Sequence, residues 1–401
     1  MTLRFRLVMS ALLCCALCTL AVRARAQPRC EELPNPLYLQ VGDTQEPLMK
    51  TLGRVLRDSE VKPITLIYVT SGSCTNVEAI YNDVPITMNP KYVPSKQEDA
   101  AWKTSEPSLT CTIGEAGHPV DVANSALFVS ACNPEDPPKG VKLFQGPNQA
   151  YAFIVPESSS ERAITAEEAY FVFGFGAAGK VSPWDDEEFF SIRTVTKSTL
   201  LSLAAAIRVP GQRWKGTPFD KSSEVLSAVS SASEPGKAIG ILGTELYDRS
   251  RDQVNVLAFR AFGQKRAYFP DSTASSFDKR NVRDGHYFPW APTVWMTHVE
   301  DDKPVNPLAE YVIGLILGDG VEPKPDFEAL ESVIEVGLVP QCAMKVTRKE
   351  EGGDLSLYAP PQPCGCYYES RVAEPGRGCE ECDKDSDCDD GACRHGFCEV
   401  R

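Results

Sequence analysis

The chain has 401 residues, a net charge of −14, 42% apolar residues, 31 Pro, 28 Gly and 15 Cys. This composition excludes a disordered or fibrous chain, and the length allows two or three domains. The excess of acid excludes a nucleic-acid partner and binding to an anionic membrane surface, but not a small anion held in a locally basic pocket.

The first segment reads as a secretory signal. Arg4 and Arg6 precede an apolar run over residues 7–22, and Ala24-Arg25-Ala26 is a small-x-small cleavage motif ahead of Gln27. The run is shorter than the ~20 residues that span a bilayer. The mature chain is therefore expected in the periplasm or outside the cell. Removing four Arg leaves 37 basic against 55 acidic residues, a net charge of −18. Removing Cys14, Cys15 and Cys18 leaves 12 Cys, an even number that suits disulfides in an exported protein. Seven of them lie after residue 363, so the crosslinks concentrate in the tail.

Residues 37–41 are expected as a strand that ends in a turn at Gly42-Asp43. Leu48, Leu52, Val55 and Leu56 then recur at helical spacing. Residues 64–70 form a β-branched run, closed by Ser71-Gly72-Ser73, with Ser73 expected to cap a helix through Val77 and Ile80. Further strands are expected at 125–130, 150–155, 238–242 and 254–259. Helices are expected at 166–173, 199–207, 223–230, 308–317 and 327–337. This alternation implies an α/β fold with a mainly parallel sheet. Pro-rich stretches at 133–139 and 360–363 read as a lobe junction and a linker.

Gly174 to Gly179 matches G-x-G-x-x-G, but a helix precedes it and Pro183 follows, so a dinucleotide site is not expected. The tail, C-x2-C-x5-C-x4-C-x4-C over residues 379–398, reads as a disulfide-stapled knob in preference to a zinc site. Asp383, Asp385 and Asp387 alternate as in a calcium loop. Cys388 and Arg394 stand where such a loop needs Gly and Glu. The four His form no metal or esterase motif, and nothing in sequence pairs Ser71 or Ser73 with a base. No catalytic residue, metal or cofactor is expected.

Three turns stand out as a set. Asp43-Thr44-Gln45 and Ser71-Gly72-Ser73 each follow a strand and precede a helix, and residues 193–199 (RTVTKST) precede an apolar helix. Helix N-termini with hydroxyls and free N–H groups suit polar or anionic ligands, and Arg193 and Lys197 add charge. Turns at the carboxyl ends of strands converge on a crevice in a doubly wound fold.

At these turns the chain resembles the phosphate-type periplasmic solute-binding proteins of ABC importers. The resemblance runs over about residues 37–345. It rests on Gly179-Lys180-Val181-Ser182-Pro183-Trp184-Asp185, on the segment from Arg193 to Thr199, and on residues 235–242, 284–298 and 335–341. It implies a type 2 periplasmic binding fold with two doubly wound lobes around a central cleft, here with a disulfide-rich C-terminal tail. Lobe 1 would comprise 27–145 and 260–350, lobe 2 146–259, and the tail 351–401, with crossing strands near 145–155 and 254–262. The ligand residues carried over are Asp43, Thr44, Gln45, Ser71, Gly72, Ser73, Ser125, Arg193, Lys197, Ser198 and Thr199. Three departures matter. The family's proton-accepting Asp falls on Ala126, its S-G-T is Lys197-Ser198-Thr199, and Asp43 brings an acid toward the anion.

The implied function is capture of a small polar solute, such as the oxyanion phosphate, by a monomer that serves an ABC-type permease. The alternative is an envelope interaction or sensory protein that keeps the fold without transport. A hydrolase using Ser71 or Ser73 is the third reading.

Overall fold

An apolar run with alternating large side chains makes β1 (Pro36–Gly42), buried at six of its seven positions. The computed structural model describes residues 27–399 apart from Glu374, Pro375 and Arg377, so the expected signal segment lies outside the described residues. After β1 comes α1 (Glu46–Asp58), which buries Leu48, Met49, Leu52 and Leu56, one stripe at helical spacing. β2 (Thr65–Ser71) pairs with β1 in parallel, and α2 (Ser73–Tyr81) follows it. β3 (Lys91–Tyr92) and β4 (Leu109–Thr110) form a short antiparallel edge, and β5 (Val122–Ser125) pairs with the other side of β1.

β6 (Val141–Pro156) organises the rest. Its 16 residues belong to two sheets in succession. β7 (Ala163–Thr165) leads into α3 (Ala166–Phe175), with a Thr165/Glu168 capping box. β8 (Phe190–Arg193), α4 (Ser198–Ile207), β9 (Thr217–Phe219), α5 (Ser222–Ser230) and β10 (Ile239–Gly243) continue the alternation. α6 (Thr244–Tyr247), β11 (Val254–Val256) and β12 (Ala258–Arg260) complete this lobe. α7 (Arg280–Arg283) precedes β13 (Trp290–Glu300), which returns to the first sheet. β14 (Lys303–Pro304), α8 (Pro307–Leu317) and α9 (Ala329–Glu335) follow.

The strand path is β4-β3-β2-β1-β5-β13-β6-β10-β8-β9. Up to Ala150, β6 pairs with β13; from Tyr151 onward its partner is β10. One strand is thus shared by two halves of the sheet. The second crossing differs from expectation. Residues 254–256 stay on the far end of β6 and β12 pairs with β7, while the chain recrosses at Trp290, opposite Ala150. A second difference lies at 125–130. The strand covers 122–125 instead, because the Ser125 hydroxyl bonds the Leu127 carbonyl at 2.9 Å and turns the chain. Residues 176–179 form a 3-10 turn closing α3, a helix end and not the strand-to-helix turn of a dinucleotide site.

The tail is built into the core. After β15 (Val346–Thr347), with which its first strand pairs, it comprises β16 (Ser356–Leu357), α10 (Gly365–Val372), β17 (Ala392–Arg394) and β18 (Phe397–Glu399). Cys364 and Tyr368 are each 1% exposed and join the largest hydrophobic cluster with Leu330, Ile334 and Met344. Arg283 donates to the Ala343 carbonyl at 3.0 Å and to Glu369 at 2.9 Å. Glu399 accepts from the backbone N–H groups of Cys366 and Tyr367. On the α9 side, His395 lies 3.1 Å from Glu328.

The 12 cysteines from Cys30 onward form six disulfides: Cys30–Cys111, Cys74–Cys132, Cys342–Cys364, Cys366–Cys379, Cys382–Cys393 and Cys388–Cys398. The acids of the knob serve its own backbone: Asp387 accepts from the N–H groups of Asp383 and Lys384, and Asp385 from that of Cys393.

Replacing Cys342 and Cys364 together by Ser removes the link that seats α10. The double variant is expected to lose about 3 kcal/mol in urea unfolding, the scale for a loop of this order. An unchanged midpoint would show that the tail docks without it.

Candidate functional site

The three turns singled out in the sequence meet, Asp43 reaching Arg193 and Gly72 reaching Thr196, while Ser125 stays on the first sheet. Asp43-Thr44-Gln45 forms a 3-10 turn at the end of β1. Arg193 is the last residue of β8, and Lys197 stands at the N-cap of α4, with Ser198 and Thr199 in its first turn. Ser71 ends β2, and Ser125 ends β5.

Arg193 is fully buried. One of its terminal nitrogens donates to both oxygens of Asp43, at 3.0 and 2.9 Å, and to the Asp220 carbonyl at 2.7 Å. Its other terminal nitrogen bonds the Ser222 hydroxyl, and its Nε reaches the Phe219 carbonyl at 3.3 Å. The Ser222 N–H and hydroxyl both donate to Asp43 Oδ2, at 3.2 and 3.0 Å. Lys197 pairs with Asp220 at 3.0 Å and lies 3.9 Å from Asp43. A carboxylate from the first sheet thus sits in the Arg193 fork and is met by the donors an anion needs.

The β2 turn touches the same region. A Cβ on Gly72 would lie 2.7 Å from the Thr196 carbonyl oxygen, so only glycine permits this approach. The Cys74 N–H donates to that oxygen at 3.2 Å. The cap of α2 differs from expectation. Gly72 holds the N-cap position, and the Ser73 hydroxyl accepts from the Ala126 N–H at 3.0 Å. Ser73 therefore ties the start of α2 to the end of β5 and does not close its own helix. Ser71 bonds Asn76 and accepts from Gln40 at 3.3 Å. Ser125 spends its proton on Leu127. The hydroxyls of Thr44 and Thr199 are buried with no hydrogen-bond partner among the described residues. Buried polar atoms of that kind call for a polar partner.

The histidines lie elsewhere: His118 stacks on Tyr38, His286 on Tyr268 and His395 on Tyr367, and His298 faces Asp83.

Several cleft residues were absent from the sequence reading. Gln45 donates to Gln149 on the shared strand at 2.5 Å, and Gln149 donates to Glu245 at 2.8 Å. Ser222 and Glu245 each follow a strand and a short turn, the pattern that marked the other turns. That signal was present after the expected strand at 238–242, whereas Pro218 hides the strand at 217–219. A cavity of about 510 Å3 opens beside the ion pair, with Asp43, Lys50 and Lys91 on one side and Lys221, Glu245 and Arg249 on the other.

Burial pushes the Glu245 carboxyl up to about 7, against the opposing pull of Arg249 and of the hydrogen bond from Gln149. Its ordinary value is 4.5, so between these two values the folded protein binds more protons than the unfolded chain. Stability is therefore expected to fall as pH rises from about 4.5 to 7 and to level off above, a loss on the order of 3 kcal/mol. Glu245→Gln should remove that slope and exceed the parent in stability at alkaline pH. Urea midpoints across this range check it; parallel slopes in both proteins would refute it.

No family model and no curated protein matches the sequence. Among solved structures, the chain is similar to one described as a putative phosphate ABC transporter substrate-binding protein with bound phosphate from Clostridium perfringens. The TM-score is 0.52 at 13% identity, over 76% of this chain and 99% of that one. It is also similar to an ABC-type phosphate transport receptor from Vibrio cholerae, with a TM-score of 0.47 at 13% identity over 76% and 99% of the two chains. At such identity the likeness is one of fold. The chain has the two-lobed type 2 periplasmic binding fold, extended by its disulfide-bonded tail.

Proposed function

We propose that this chain is an exported, non-catalytic solute-binding protein that holds a small polar solute between its lobes. The observation that carries this reading is the meeting of strand-end turns from both lobes around one cavity. Polar turns at the carboxyl ends of strands are where α/β folds take their ligands. The hinge strand β6 supplies Gln149 directly to that array. Six disulfides support an oxidising compartment, and the solved neighbour with bound phosphate supports service to an ABC permease.

Phosphate itself is not carried over. Asp43 takes the Arg193 fork, and Ala126 offers no carboxylate to accept a proton from a protonated oxyanion. The reading is therefore of a solute binder whose inner anion subsite is met by its own side chain. Thermal unfolding with a panel of sugars, amino acids and organic acids tests it. At least one solute class should raise Tm saturably, whereas inorganic phosphate should not. A panel without any shift would sink the solute-binding reading.

A second reading has one specific observation behind it. The Asp43–Arg193 pair and the Gly72–Thr196 approach hold the lobes together through the protein's own groups. Those contacts suit an envelope interaction protein that uses the fold in a fixed, closed form. X-ray solution scattering separates the two, because a solute binder is expected to open when Asp43 is changed to Asn and to contract again on adding its solute.

A further inference from the structure

The cavity beside the ion pair carries an excess of positive charge on a strongly acidic protein. Lys50 comes from α1 and Lys91 from β3, while Lys221 precedes α5 and Arg249 follows α6, so each lobe brings two cations. The acids at the same cavity are already engaged. Asp43 takes Arg193. Glu46 takes Lys91 at 2.9 Å and accepts from the Tyr68 hydroxyl at 3.3 Å. Glu245 is buried and accepts from Gln149.

That leaves three cations whose side-chain hydrogen bonds, among the described residues, go to neutral carbonyls or to none. Lys50 Nζ donates to the Glu106 carbonyl at 2.7 Å, and Arg249 Nε donates to the Glu245 carbonyl at 3.0 Å. Among the described residues, no ion pair within 4.0 Å includes Lys50, Lys221 or Arg249. Burial lowers the pKa of Lys50, against the pull of the Glu46 carboxylate, and the neighbouring charges of Lys91 and Arg249 lower it further. Like charges crowded into a partly desolvated mouth disfavour the empty cavity and favour a bound anion.

We propose that the solute is a small organic polyanion, seated at the cleft mouth on Lys50, Lys221 and Arg249, outward of the Arg193 fork that Asp43 fills. This rests on the solute-binding reading and adds the ligand class. A volume of about 510 Å3 suits a metabolite-sized molecule and exceeds what a bare oxyanion fills. Cations contributed by both lobes give the solute contacts that only the closed form completes, which is how a hinge-bending binder couples capture to closure. Multiple carboxylates and multiple phosphates present the same chemistry to ammonium and guanidinium groups.

The test is binding by calorimetry and thermal shift at low ionic strength, with citrate and fructose 1,6-bisphosphate as probes. Inorganic phosphate, glucose and lysine serve as comparisons. One or both polyanions should bind, and citrate alone or the bisphosphate alone assigns the carboxylate or phosphate source. Lys221→Ala with Arg249→Ala, both exposed, should weaken binding by at least roughly tenfold for each cation removed, the scale of a charge-assisted hydrogen bond, while leaving the urea midpoint in place. Added salt should weaken it further. Polyanion binding that survives both this pair and Lys50→Met overturns the placement. Saturable binding of glucose or lysine without the polyanions overturns the ligand class and leaves the solute-binding reading standing. Silence from every solute overturns both.

Discussion

A guanidinium group taken fully out of water must meet an anion, because an unpaired buried charge costs several kcal/mol. Arg193 is in that position, and its anion is Asp43, 150 residues earlier and on the other lobe. Ser222 completes the arrangement by donating twice to the same carboxylate. The pair fixes where β1, β8 and the start of α5 stand relative to one another. It also leaves the Arg193 guanidinium matched by a carboxylate of the protein itself.

Much of the fold was legible from period and punctuation. β1, β2 and β10 are short apolar runs ended by Gly or Ser, and α1 and α8 show apolar residues at helical spacing. The candidate turns were legible for the same reason: a strand, then hydroxyls, then a helix. Their partners were not. Nothing local to Asp43 says that it meets Arg193, and nothing local to Ser73 says that its hydroxyl serves Ala126. The recrossing at Trp290 was missed because 254–259 reads as a strand on propensity, and pairing with β6 and β7 is a tertiary choice.

Lys50, Lys221 and Arg249 show a different limit. Each is an ordinary surface cation in sequence, and solvated faces account for most such residues. They acquire meaning by facing one cavity whose acids are taken, a balance that depends on four separate elements. Net charge is equally blind to this. A chain of −14 can keep one locally cationic mouth, because a pocket's field is set by its near neighbours within about a Debye length.

The tail has a consequence for how such a chain is made. Cys364, Tyr367 and Tyr368 lie in the same cluster as Leu330, Ile334 and Met344, which belong to segments made before them. A ribosome delivers those earlier residues first, so a nascent chain presents that apolar face uncovered until its last segment has emerged. Vectorial folding from the N-terminus cannot complete that cluster early. The emerging chain must be shielded, or kept unfolded, until its C-terminal end arrives and is oxidised onto Cys342.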